Sequence, residues 1–242
     1  MSFPRLYEPC ITSRVDWREC APFCKVEETP AIAVGNCSSV GDDWTRGAVW
    51  KGGEVLARLL LASPDIVRGQ SVLELGTGTG VAGLAAAAAG ASAVMLTDQT
   101  VEQVERNLAL NPELSRLVQI RTLRWGRPAP WLLAGAYDVV LAADVIYPTA
   151  AEDASLGALP ALFSTLHIAV SGRGLLVYVE RSSKVTVALH AELRRRGEWE
   201  CRRRSLGLRI WLYTLDRHRA SARGAVSVAA AAARPIDEEA CV

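Results

Sequence analysis

The chain is poor in the groups that most often announce a metal or an acid–base centre. It has three histidines, His167, His190 and His218, in 242 residues. None sits in a cluster of metal-ligating spacing or forms a recognisable His-Asp couple, so each is expected to pack or to face solvent. The six cysteines, Cys10, Cys20, Cys24, Cys37, Cys201 and Cys241, contain no CxxC pair. No histidine lies near Cys20 and Cys24, so no metal site is expected. Unpaired cysteines in a large domain point to a reducing compartment. No basic segment followed by a long apolar run occurs early in the chain. Asp16 and Glu19 speak against a mitochondrial presequence. The most apolar stretch, 81–96, is interrupted by glycine and alanine and runs into charge, so no membrane span is expected. The formal net charge of +1 gives no global electrostatic case for nucleic acid. A cytoplasmic enzyme is the expectation.

What is present suffices for one large core, because 50% of the residues are hydrophobic. Residues 1–46 form an arm in which Pro4, Pro9, Pro22 and Pro30 discourage long helices. KVEE at 25–28 and AIAV at 31–34 suggest a short β-hairpin there. A helix is predicted from about Gly52, with Val55, Leu56, Leu59 and Leu60 on one face, ending at Ser63-Pro64. The chain then alternates. Strands are predicted at 71–75, 93–97, 117–122, 137–143 and 174–180. Helices are predicted at 80–89, 100–110, 156–170 and 184–196. Two adjacent strands, 198–205 and 207–215, turn at Gly207. This pattern predicts an α/β fold: a Rossmann-like, mostly parallel sheet of seven strands, helices on both faces and a C-terminal antiparallel hairpin, over about 47–219. Residues 220–242 are of low complexity and read as a flexible tail.

The most informative segment is VLELGTGTGVAGLAAAAAG, residues 72–90, followed by AVMLTD ending at Asp98. A strand enters a glycine-rich turn and an alanine-rich helix leaves it, as in a nucleotide-type cofactor site on an open sheet. Gly76 and Gly78 suit tight turn geometry and let a ligand approach the backbone. Asp98, at the end of the next strand, can accept both hydroxyls of a ribose or cap the following helix. Gln99 falls beside it. Glu74 can orient the turn or receive an amino group. The glycine spacing alone does not separate a dinucleotide from an adenosyl sulfonium cofactor. The acidic Glu74 ahead of the glycines, the terminal hairpin and the lack of a second nucleotide-binding half favour the sulfonium.

A second segment, VVLAADVIY at 139–147, narrows the reading. Together with Trp50, ELGTGTGVAGL at 74–84, TDQ at 97–99, RNLALN at 106–111, LRWG at 123–126 and VYVER at 177–181, it resembles the seven-strand S-adenosylmethionine-dependent methyltransferases. More closely it resembles their protein-lysine branch, methyltransferase family 16, over about Gly47 to Tyr213. The resemblance implies S-adenosyl-L-methionine as cofactor, bound by Trp50, Glu74, Gly76, Thr77, Gly78, Asp98, Gln99, Trp125 and Ala143. Trp125 would cover the adenine, for which an indole face is a good platform. Asp144 and Tyr147 would stand at the methyl-acceptor site. The implied partner is a protein bearing a target lysine, with chaperones and translation factors as examples, and the implied state is a monomer. The pattern departs from the family at Lys51, where proline often follows the early tryptophan.

Three alternatives stay open at this stage. They are a methyltransferase for another protein nitrogen, RNA or a small amine, a non-catalytic cofactor-binding protein, and a nicotinamide-dependent oxidoreductase. No Asn/Asp-Pro-Pro-Tyr motif is present, which lowers the nucleic-acid amine option. One local charge excess remains. Residues 181–219 hold eleven Arg or Lys against four Asp or Glu. It reads either as a solvated helix end and turn or as a patch for an acidic protein or RNA. Glu180 and Arg181 fall at a strand end and are candidates for the substrate rim.

Overall fold

The computed structural model describes residues 49–127, 129–147 and 152–217. The expected hairpin arm at 1–46, the whole of the expected tail at 220–242, His218 and every cysteine but Cys201 lie outside the described residues. Cys201 is half-buried.

Among the described residues, seven strands form one sheet: β1 (Ser71–Leu75), β2 (Ala93–Asp98), β3 (Val118–Thr122), β4 (Tyr137–Ala143), β5 (Val170–Val179), β6 (Trp199–Gly207) and β7 (Ile210–Arg217). Their order is β3-β2-β1-β4-β5-β7-β6. The first five run parallel, and β7 pairs antiparallel with both β5 and β6. This is the expected mixed sheet ending in a hairpin. Five α-helices of the described residues cover it: α1 (Lys51–Ala62), α2 (Val81–Ala88), α3 (Glu102–Ala109), α4 (Glu152–Ala169) and α5 (Ser183–Arg196).

The two faces follow from strand alternation. On β4, Val139 and Leu141 join the core under α1–α3, whereas Val140 and Ala142 join the core under α4 and α5. On β5, Leu175, Val177 and Val179 take the first side, and Leu176 and Tyr178 the second. Covered on both faces, the parallel strands are apolar nearly throughout. Helix α2 reaches the sheet closely because its side chains are small. At Gly83 an added Cβ would stand 2.0 Å from Leu96 Cδ2 and 2.6 Å from Glu74 Oε2. Such contacts leave no room for a methyl group.

Three expectations needed correction. Strand β5 begins at Val170, not at 174, and α4 begins at Glu152, not at 156. Ser171, Gly172, Arg173 and Gly174 read poorly as a strand, yet Gly172 is required there. An added Cβ would stand 2.7 Å from the carbonyl oxygen of Asp138. The final turn is centred not on Gly207 but on Leu208 and Arg209, whose φ angles are 43° and 62°. Gly207 pairs with Ile210 across it.

The arginine-rich segment resolves largely into ion pairs. Arg195 and Arg196 flank Glu192, and hydrogen bonds from Arg195 lead in holding that carboxyl below its ordinary value. Arg196 also meets Glu198, and Arg202 meets Asp216. His190 Nε2 lies 2.8 Å from the Tyr213 hydroxyl, and burial lowers its pKa. His167 packs edge-on against Trp199. Both are in helices, as expected. Among the described residues, no helix is long and apolar enough to cross a membrane.

Candidate functional site

The chain leaves β1 toward β2 and β3 on one side, then returns to β4 on the other. A crevice therefore opens at the C-terminal ends of β1 and β4, where open α/β sheets bind ligands. The glycine loop, Asp98, Ala143, Asp144 and the end of β5 all fall at this edge.

Hydrogen bonds fix the loop after β1. The amides of Gly76 and Thr77 both donate to the Thr97 carbonyl, each at 2.9 Å. The Thr97 hydroxyl donates to the Glu74 carbonyl at 2.6 Å. Glu74 is buried, and its Oε2 accepts from the Thr77 hydroxyl at 2.5 Å and from the Gly83 amide at 3.0 Å. Burial raises its pKa to about 7 against those two hydrogen bonds, with the nearby Asp98 charge adding to the rise. In this structure Glu74 thus orients the turn, clamping its start to α2.

Asp98 ties the other end. Its Oδ2 accepts the Gly78 amide at 2.9 Å and its Oδ1 accepts the Gln99 amide at 2.6 Å. Each oxygen keeps acceptor capacity beyond one such bond, as a ribose diol requires. Gln99 is exposed beside it. Asn107, fully buried on α3, donates through Nδ2 to the Thr79 carbonyl at 2.7 Å and so holds the loop from below.

Gly76 adopts φ 73°, and a Cβ there would lie 2.6 Å from Val145 Cγ1 and 3.2 Å from Trp125 Cζ2. The indole of Trp125, half-buried, and the side chain of Val145 therefore wall the space directly over the loop backbone. A flat adenosyl group suits that combination: bare backbone, an aromatic plane and a carboxylate with spare lone pairs. The residues present fit the cofactor that the sequence implied.

Across the crevice stands Asp144, with φ 58° and its side chain almost fully buried. Arg181, at the end of β5, grips it with two hydrogen bonds, NH1 to Oδ1 at 2.5 Å and NH2 to Oδ2 at 2.8 Å. The amide of Gly52, in the first turn of α1, donates to Oδ2 at 3.1 Å. An added Cβ at Gly52 would lie 3.0 Å from Asp144 Cβ, so glycine gives this approach its room and a side chain there would press on Asp144. The Arg181 guanidinium also sits 5.5 Å from the ring centroid of Trp50, the residue that caps α1. Trp50, Gly52, Asp144 and Arg181 thus form one unit joining α1, β4 and β5. Ala143 is half-buried at the end of β4, its Cα opposite Val177. Tyr147 is 43% exposed on the same edge.

The sequence reading placed Trp50, Asp144 and Arg181 at one edge but did not join them. It took Gly52 only as the start of a helix and gave Val145 no role at the site. A glycine pair inside the first turn of a helix, where glycine is a poor choice, was the signal available for Gly52.

A mixed seven-stranded sheet with a glycine-loop crevice at the β1/β4 switch defines a Rossmann-like methyltransferase fold. The Pyrococcus horikoshii protein PH1948 shares it, with a TM-score of 0.53 at 14% identity, 77% of this chain and 93% of that one being covered. The lysine methyltransferase family model matches residues 38–187, more than half of the sequence, and the chain belongs to that family. It is 34% identical over 141 residues to protein N-lysine methyltransferase METTL21A of Danio rerio, covering 55% of this chain and 61% of the relative. It is 31% identical over 150 residues to calmodulin-lysine N-methyltransferase of Arabidopsis thaliana, covering 60% and 45%. The chain thus spans about half the length of these curated relatives.

Proposed function

We propose that the protein is an S-adenosylmethionine-dependent N-methyltransferase whose acceptor is the side-chain amine of a lysine in another protein. One juxtaposition carries the reading: in a member of a lysine methyltransferase family, the loop anchored by Asp98 and walled by Trp125 faces the Asp144–Arg181 unit across the β1/β4 crevice. Asp98 and Gln99 would hold the ribose side of the cofactor. Glu74, Gly76, Thr77 and Gly78 would form its floor, with Trp50, Trp125 and Ala143 as walls. When bound, the cofactor supplies an electrophilic methyl group on a sulfonium.

The protein's own share is alignment and desolvation. A lysine ammonium has no lone pair, and its ordinary pKa is about 10.4. An apolar mouth disfavours the charged form and so promotes the neutral nucleophile. Asp144, locked by Arg181 and Gly52, and Tyr147, exposed at the rim, would set the acceptor side. They would hold the amine in line and exclude water, and alignment is the larger part of catalysis for such a transfer. The finer reading, a cytoplasmic monomer acting on a chaperone or translation factor, draws support from the scattered cysteine spacing of the sequence and the family likeness.

The test is incubation with methyl-labelled S-adenosylmethionine and a cytosolic extract, with label located by mass spectrometry. Asp98→Ala and Asp144→Ala proteins run in parallel. Label on lysine in a discrete protein, lost in both variants, supports the proposal. Label on RNA or on another protein nitrogen keeps the donor site and removes the lysine assignment. Donor binding without any transfer favours the non-catalytic reading.

A further inference from the structure

The β6–β7 turn is built from residues that turn chemistry does not favour. Leu208 and Arg209 both take left-handed φ angles, 43° and 62°, directly after Gly207 at 91°. Two-residue hairpins with this φ pattern strongly prefer Asn-Gly or Asp-Gly, because a Cβ crowds the following carbonyl in the left-handed region. Leu208 gains no packing in return, since it is 90% exposed, the most exposed large apolar side chain among the described residues.

The turn stands beyond β5 at the same end of the sheet as the crevice. The Glu180 amide donates to the Arg209 carbonyl at 2.9 Å. Glu180 Oε2 lies 3.4 Å from Trp211 Nε1, and Arg209 reaches Oε1 at 3.5 Å. Glu180 is covalently joined to Arg181, which grips Asp144. The tip is therefore one residue removed from the acceptor side and is held there from both flanks. Tyr147, three residues beyond Asp144, is partly exposed at the same end of the sheet.

We propose that the Leu208–Arg209 turn is a docking knob for the methyl-acceptor protein, with Leu208 entering an apolar recess beside the target lysine. This rests on the lysine methyltransferase reading above. A single exposed leucine is ordinary on a protein surface, but a strained turn that holds it out, at the end of the sheet where a whole protein must be admitted, is accounted for by a partner that buries it. The acceptor is accordingly a folded surface with a recess, rather than a free amine or a short polar peptide.

The test replaces the turn by the residues its backbone prefers, Leu208→Asn with Arg209→Gly, which keeps the hairpin and removes the knob. Steady-state kinetics use the acceptor protein labelled by the wild type, and donor affinity is followed by calorimetry with S-adenosylhomocysteine. The expected result is an unchanged or higher Tm and unchanged donor affinity. KM for the acceptor protein should rise on the order of tenfold, about what exposing one buried leucine is worth, with kcat within twofold. An unchanged KM with an active wild type overturns the docking role and leaves the methyltransferase reading intact. A wild type that labels no protein overturns both.

Discussion

Asp144 and Arg181, thirty-seven positions apart, meet through two parallel hydrogen bonds in a buried pocket closed by Gly52 and Trp50. Forked geometry of this kind is the strongest form a carboxylate–guanidinium contact takes. Here it joins the ends of β4 and β5 to the first turn of α1, and it holds Asp144 in a left-handed conformation that a non-glycine residue rarely adopts.

Removing one partner leaves the other charge buried and uncompensated. Arg181→Gln should therefore destabilise the fold by about 3 kcal/mol. Asp144→Asn alone should also cost, because Arg181 keeps its charge in a site only 18% exposed. The double variant should cost less than the two singles together, with a coupling on the order of 2 kcal/mol. Urea unfolding of the four proteins measures it. Additive losses would show that the pair acts only as two separate packing groups.

Gly76 and Gly69 offer a controlled comparison. Their φ angles are nearly equal, 73° and 71°, but a Cβ at Gly69 meets nothing within 4 Å. Gly69→Ala should lose only the backbone preference, about 1–2 kcal/mol, and keep its affinity for S-adenosylhomocysteine. Gly76→Ala carries the same backbone cost and also drives a methyl into Val145 and Trp125, the walls of the cofactor space. Its affinity should fall on the order of a hundredfold, measured by calorimetry at a temperature where both variants are folded. Equal affinities would remove Trp125 and Val145 from the cofactor site.

The contrast between these glycines shows what a sequence conveys. The strand, the glycine loop and the helix after it were legible because each signal is local: apolar alternation, then Gly76 and Gly78, then an alanine run. Asp98 was legible because it ends the next strand. The Asp144–Arg181 pair was not, since the partners come from different strands and no periodicity links them. Strand β5 was read four residues short for a related reason. Its first turn of sequence, Ser171 to Gly174, has weak strand propensity, and it is held instead by pairing with β4 and β7. The Leu208–Arg209 turn was missed because it breaks the local rule. Such breaks are expected where function sets the sequence.

Glu74 makes stability depend on pH in the direction opposite to an ordinary ion-paired carboxylate. Burial raises its pKa from 4.5 to about 7 in the folded protein. Between those values the folded state holds a proton that the unfolded state has released. Its contribution is therefore most favourable below about 4.5, declines as pH rises to about 7, and is level above that. The full effect is up to about 3 kcal/mol. Glu74→Gln retains an acceptor for the Thr77 hydroxyl and the Gly83 amide and cannot ionise. Relative to wild type, this variant should gain about 2–3 kcal/mol between pH 5 and pH 8, whatever constant offset the new amide introduces. Urea unfolding of both proteins at the two pH values gives the difference directly. If the offset is the same at both, Glu74 ionises at an ordinary carboxylate value, and the clamp between the glycine loop and α2 carries a full charge throughout.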